Sequence, residues 1–117
     1  EVHIGELISK QVQGFRRAII YDDEIATGGS VITLSNLLTR SGIEEILIIC
    51  THGLFISNAL KRLDAIPQVK EIITTDTVYL PESERTNKLT TLSVAPVIGE
   101  AIWKNYTRQS IGDLFDI

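Results

Sequence analysis

The amino-acid sequence predicts an α/β domain built on a mainly parallel, doubly wound sheet. Three observations carry that expectation. Short runs of consecutive apolar residues, such as Ala18-Ile19-Ile20-Tyr21 and Ile46-Leu47-Ile48-Ile49-Cys50, suit strands covered on both faces. Between them lie windows with apolar residues at helical spacing. The two kinds of segment alternate along the chain, which implies right-handed crossovers and a parallel sheet.

The elements follow in order. Residues Arg17 to Asp22 read as a buried strand that ends abruptly in two carboxylates. Val31, Leu34, Leu37 and Leu38 then recur at helical spacing, giving a helix from about Gly29 to Arg40. Ser41-Gly42 stops it, because glycine readily takes the left-handed conformation beyond a helix end. Glu45 to Thr51 is a second buried strand. Asn58 to Leu63 is a short helix with Ala59, Leu60 and Leu63 on one side. Glu71 to Thr75 and Leu89 to Val94 are further strands. Ala95 to Tyr106 is a helix whose apolar face is Val97, Ile98, Ala101 and Ile102. Ile111 to Phe115 is a short apolar tail segment, and the start of the chain, His3 included, receives no element and no role.

Composition narrows the classes. At 117 residues with 44% apolar content, the chain suits one domain, residues 1–117, with a packed core. The net charge of −4 comes with no basic block, so no nucleic-acid partner is expected, and Arg16-Arg17 and Lys61-Arg62 read as solvated pairs. No apolar run approaches the roughly 20 residues that cross a bilayer, so no membrane partner is expected. The single cysteine, Cys50, excludes an internal disulfide and fits a cytoplasmic location. It ends an apolar run, where a buried structural thiol is expected rather than a nucleophile. The first residue is Glu1 rather than Met, which reads as processing or as a piece of a longer protein.

The chemistry concentrates at Asp22-Asp23-Glu24-Ile25-Ala26-Thr27-Gly28-Gly29-Ser30. In parallel α/β sheets ligands bind at the carboxyl ends of strands, and this segment lies at such an end. Glycines allow close backbone approach. The first N–H groups of the following helix have no internal partners and meet the positive end of the helix dipole, so a phosphate fits there, with the Thr27 and Ser30 hydroxyls adding donors. The paired carboxylates would repel phosphate. They suit sugar hydroxyls, or a Mg²⁺ ion shared with phosphate oxygens and water. Together the two features describe a sugar-phosphate site. A plainer alternative is a simple strand-to-helix turn, with Asp22 and Asp23 solvated and Thr27 capping the helix.

The segment from Ala18 to Ser30 resembles the phosphoribosyl-pyrophosphate (PRPP) binding motif of type I phosphoribosyltransferase folds: an apolar strand, two acids, two variable positions, Asp or Ala, then Thr, Gly or Ala, Gly, and Thr or Ser. Later segments are similar to one branch, the ribose-phosphate diphosphokinases or PRPP synthetases. These are Thr51-His52-Gly53 with the helix Asn58 to Leu63, the strand Ile72 to Thr77, and Ile98-Gly99-Glu100-Ala101-Ile102 followed by Gln109 to Phe115. The resemblance covers nearly the whole chain in order.

It implies a type I phosphoribosyltransferase-like fold and a site for ribose 5-phosphate or PRPP. Asp22 and Asp23 would hold the ribose 2- and 3-hydroxyls, directly or through Mg²⁺. Ala26, Thr27, Gly28, Gly29 and Ser30 would wrap the 5-phosphate. His52 is read as a structural or pocket-lining residue, and Asp76 as lining an adenine or effector site at a subunit contact or, alternatively, as a solvated strand end. The resemblance further implies transfer of the β,γ-diphosphoryl group of ATP to the ribose 1-hydroxyl, and a chain that is the carboxy-terminal half of a two-domain, homo-oligomeric protein. The ATP site and the catalytic basic loop then lie outside this chain, and the fragment alone is expected to be inactive. Ala26 stands where most PRPP synthetases have Asp. That departure keeps a non-catalytic, synthetase-associated regulatory subunit as an alternative, beside a base phosphoribosyltransferase, whose hood and pyrophosphate loop are not found in the sequence. Trp103 and Tyr106 are expected in a core or interface rather than as ligand platforms.

Overall fold

The structure, a computed structural model, describes residues 2–115, with side chains from residue 5 onward; the side chain of His3 lies outside the described set. The elements are α1 (Val2–Gln11), β1 (Arg17–Ile25), α2 (Gly29–Arg40), β2 (Glu45–Gly53), α3 (Ala59–Asp64), β3 (Val69–Thr75), β4 (Leu89–Leu92) and α4 (Ala95–Tyr106). Single 3₁₀ turns occur at Glu82–Glu84 and Gly112–Phe115.

The four strands form one sheet in the order β1-β2-β3-β4, and every pair is parallel. Ile20, Ile48 and Ile72 sit side by side across three strands and are buried. Ile46, Cys50 and Val69 extend this apolar face. Val31 and Leu38 of α2, and Ala59, Leu60 and Leu63 of α3, close over it. Packing of this kind supplies most of the stability, at about 1.5–3 kcal/mol for each large apolar side chain fully removed from water.

The reverse face is different. Ile19 and Tyr21 are 68% and 70% exposed, and Leu47, Ile49 and Ile73 are only half-buried. Full burial of the first strand, expected from its apolar run, is therefore not met. The reason is topological. Each crossover steps to the next strand in the same direction, and right-handed crossovers then put successive helices on one side of the sheet.

Several boundaries also move. β1 runs on to Ile25 because its ladder with β2 continues through Asp22↔Cys50, Glu24↔His52 and Ile25↔Gly53. The acids thus stand on a strand rather than in a loop. α1 was not anticipated. Its Ile8 and the following Val12 pack on the core, and Ser9 Oγ meets Ser41 Oγ at 2.7 Å. Gly42, with φ 98°, ends α2 as the sequence implied.

α4 forms where expected, but none of its residues is buried. Ile98, Ile102, Trp103 and Tyr106 are all more than half exposed. Its Lys104 side turns inward instead, pairing with Asp113 at 3.3 Å and Glu100 at 3.6 Å. The molecule is accordingly elongated, with a radius of gyration of 17.4 Å. A compact domain of this length has a radius of about 13 Å.

Candidate functional site

The carboxyl end of β1 presents three acids in sequence. Asp22 is half-buried, while Asp23 and Glu24 are exposed. Ile25, only 1% exposed, anchors the strand end beneath them. Among the described residues none of the three acids joins an ion pair. Their oxygens are therefore available to hydroxyl donors or to a cation.

The chain then turns through Ala26 and Thr27 into α2. Gly28 takes the left-handed conformation, φ 72° and ψ 7°. A Cβ there would also lie 3.3 Å from the Ala59 Cβ of α3, so both backbone angle and space favour glycine. No side chain caps α2, which removes the role of Thr27 in the plain-turn alternative. The first bonded N–H of the helix is that of Ile32, which donates to the Gly28 carbonyl at 2.9 Å. Among the described residues, the N–H groups of Thr27, Gly28, Gly29, Ser30 and Val31 find no acceptor in the protein. A row of free donors at the positive end of a helix dipole favours negative charge.

Arg62, read from sequence as solvated surface, reaches this loop: its Nη1 donates to the Thr27 carbonyl at 3.2 Å. Only the packing of α3 against the loop reveals it. The other cationic pair is spent elsewhere, Arg16 on Glu44 and Arg17 on Glu45.

His52 ends β2 opposite Glu24. Its Nδ1 meets Thr77 Oγ1 at 2.7 Å, inside a small network in which Thr75 Oγ1 donates to the Thr51 carbonyl at 2.6 Å. Asp76 follows β3 and turns toward α4. Its Oδ1 accepts the Val94 N–H at 2.8 Å. Hydrogen bonds from Ser93 and then from Val94 hold its carboxyl below the usual range. The Cys50 thiol is pushed up by burial, an effect partly offset by its hydrogen bond with Thr74 and reinforced by the charge of Asp22. It remains a protonated, packed thiol, as expected.

No group of three or more His, Cys, Asp or Glu side chains is placed to hold a metal among the described residues. Mg²⁺ commonly takes only one or two carboxylates and completes its shell with ligand oxygens and water; Asp22 and Asp23 are consecutive on a strand and alternate faces, so one of them, rather than the pair, suits an ion brought by a sugar phosphate. No helix among the described residues is long and apolar enough to cross a membrane.

A parallel sheet whose strand tip carries unpaired acids, followed by a helix opening on free amides, suits a phosphoribosyltransferase-type domain, and the similarity to solved structures makes it one. More particularly, the chain belongs to the phosphoribosyl synthetase-associated domain family, whose model matches residues 7–116. It is 40% identical over 101 residues to the ribose-phosphate pyrophosphokinase of Oceanobacillus iheyensis, covering 86% of this chain and 32% of that protein. It is 38% identical over 106 residues to that of Bacillus caldolyticus, covering 91% and 33%. Among solved structures it is similar to phosphoribosylpyrophosphate synthetase from Mycobacterium smegmatis, with a TM-score of 0.76 and 35% identity over 83% of this chain and 32% of the other. That likeness gives the doubly wound, type I phosphoribosyltransferase fold implied by the sequence, of which these four strands, stepping one way, form a part with α2 and α3 on a single face. The chain spans about a third of the length of these relatives.

Proposed function

We propose that this domain binds ribose 5-phosphate, or its pyrophosphorylated product PRPP, as the carboxy-terminal half of a ribose-phosphate diphosphokinase. The observation that carries the reading is the row of unpaired N–H groups from Thr27 to Val31 beside the unpaired carboxylates of Asp22 and Asp23. The amides, with the exposed Thr27 and Ser30 hydroxyls, take the 5-phosphate. Asp22 and Asp23 accept hydrogen bonds from the ribose 2- and 3-hydroxyls, or one of them anchors Mg²⁺. His52 and Asp76 stand at the neighbouring strand ends, His52 with Nδ1 tied to Thr77 and Asp76 engaged at the start of α4.

In the complete protein the β,γ-diphosphoryl group of ATP passes to the ribose 1-hydroxyl. This chain's part is to fix the acceptor sugar, since catalysis of such a transfer is largely positioning and charge neutralisation. Magnesium, when bound, supplies part of that neutralisation. ATP and the catalytic basic loop belong to the rest of a family-length, homo-oligomeric protein. The names and lengths of the relatives support this reading. A second reading, a non-catalytic associated subunit, is favoured by Ala26, which puts a methyl where most synthetases carry an acid.

Calorimetric titration with ribose 5-phosphate, with and without Mg²⁺, tests the site. The unaltered chain is expected to bind, and Asp22→Ala to bind about tenfold more weakly, the scale of one lost charge-assisted hydrogen bond. Equal heats from both proteins would remove the carboxylate from the site.

A further inference from the structure

Arg62 of α3 donates to the Thr27 carbonyl, and Ala59 of the same helix lies close to Gly28, where an added Cβ would stand 3.3 Å from the Ala59 Cβ. The two contacts fall on the two residues of one peptide unit, Thr27–Gly28. No peptide bond among the described residues is cis, and a trans peptide points its C=O and N–H in opposite directions. Holding the Thr27 carbonyl toward Arg62 therefore turns the Gly28 N–H away from that side chain. That N–H is one of the donors with no acceptor in the protein. If the peptide flipped, a carbonyl oxygen would replace a donor and repel an anion. Gly28 makes such a flip easy, because glycine populates positive and negative φ about equally. The orientation needs an external hold, and Arg62 is the side chain that supplies one.

Electrostatics point the same way. The loop follows three consecutive acids, Asp22, Asp23 and Glu24, and none of them has a cationic partner among the described residues. A guanidinium beside the loop offsets part of that field where a phosphate must settle.

We propose that Arg62 is a positioning residue of the phosphoryl subsite: from the far side of the Thr27–Gly28 peptide it holds the Thr27 carbonyl, so that the Gly28 N–H faces the anion. The inference rests on the ribose 5-phosphate reading and adds to it a residue on a different element.

The test uses the whole 117-residue chain as Arg62→Ala, Arg62→Lys and the control Lys61→Ala. Lys61→Ala removes the same charge from the neighbouring position. Binding of ribose 5-phosphate is measured by calorimetry, and the Gly28 amide resonance is followed during titration with inorganic phosphate. Arg62→Ala is expected to lose about tenfold in affinity, in line with one hydrogen bond to a charged donor. Its Gly28 resonance should lose most of the phosphate-induced shift. Arg62→Lys should recover part of both, and Lys61→Ala should stay within about twofold of the unaltered chain, as a solvated charge does. Unchanged affinity and Gly28 shift in Arg62→Ala overturn the proposal while leaving the sugar-phosphate site intact. An equal loss in Lys61→Ala overturns it as well, since general charge would then suffice. Failure of the unaltered chain to bind ribose 5-phosphate overturns both the site and the role of Arg62.

Discussion

At Asp76 a single carboxylate receives hydrogen bonds from Ser93 and from the Val94 N–H, and so fixes the start of α4. These donors favour the ionised form and depress the folded-state pKa below the unfolded value. The sign of the pH dependence follows. The stabilisation is fully present above the ordinary carboxylate range and is lost as pH falls through the depressed value. Asp76→Asn keeps an oxygen acceptor but no charge. It is expected to melt below the unaltered protein at pH 7, with the gap in Tm closing on acidification toward pH 3. A gap that stays constant across thermal melts in that range would show that the charge is not what holds the contact. Residues of this scale were legible in the sequence where local chemistry dictated them. Paired acids followed by Thr-Gly-Gly-Ser identified the loop, and Gly28 is glycine for a backbone angle the motif requires. Arg62 was not legible, because its partner lies 35 positions away in the chain and only packing brings them together. Asp76 was placed at a strand end correctly, but its turn toward Val94 depends on where α4 begins.

Among the elements, α2 combines a donor-bearing start with an imperfection in its buried face. Ser35 is fully buried, and its hydroxyl finds no hydrogen-bond partner among the described residues. Ser35→Ala removes an unsatisfied polar group and improves helix propensity, and is expected to raise stability by about 1 kcal/mol in urea denaturation. A loss of stability would mean that the hydroxyl is hydrogen-bonded in solution. Helix and strand types were readable because their apolar periods differ, as with Val31, Leu34 and Leu38 against Ile46, Ile48 and Cys50. The ends were harder. Asp22, Asp23 and Glu24 look like loop residues, yet the pairing of Glu24 with His52 and of Ile25 with Gly53 keeps them in the ladder. The Gly53 position is itself a product of assembly: a Cβ there would collide with the Phe55 ring and lie 2.7 Å from Thr74 Oγ1. α1 is in fact patterned in the sequence, with Ile4, Leu7, Ile8 and Val12 at helical spacing, but Gly5 inside the run and the lack of a capping residue before it weaken the signal.

For the whole molecule, strand order decides which surfaces meet water. Alternating strands and helices were enough to foresee a parallel sheet. They do not encode the direction of each crossover, so the half-open face with Ile19 and Tyr21 could not be foreseen. The same arrangement leaves α4 standing apart, with Trp103 61% exposed and its ring centroid 6.2 Å from that of Tyr106. Trp103 is the only tryptophan, so intrinsic fluorescence reports on α4 alone. The expected emission is that of a solvated indole, quenched by acrylamide nearly as well as the free side chain. Blue-shifted, shielded emission would mean that the apolar arc of α4 is covered in solution.

Among the described residues β1 has a neighbouring strand on one side only. Such rims recruit other chains unless charge keeps them apart. Arg17 at one end of β1, with Asp23 and Glu24 at the other, brackets the sticky stretch Ala18 to Tyr21 as gatekeepers do. On the proposed sugar-phosphate reading Asp23 thereby doubles as a guard on solubility, and neutralising it is expected to weaken recognition and colloidal protection together.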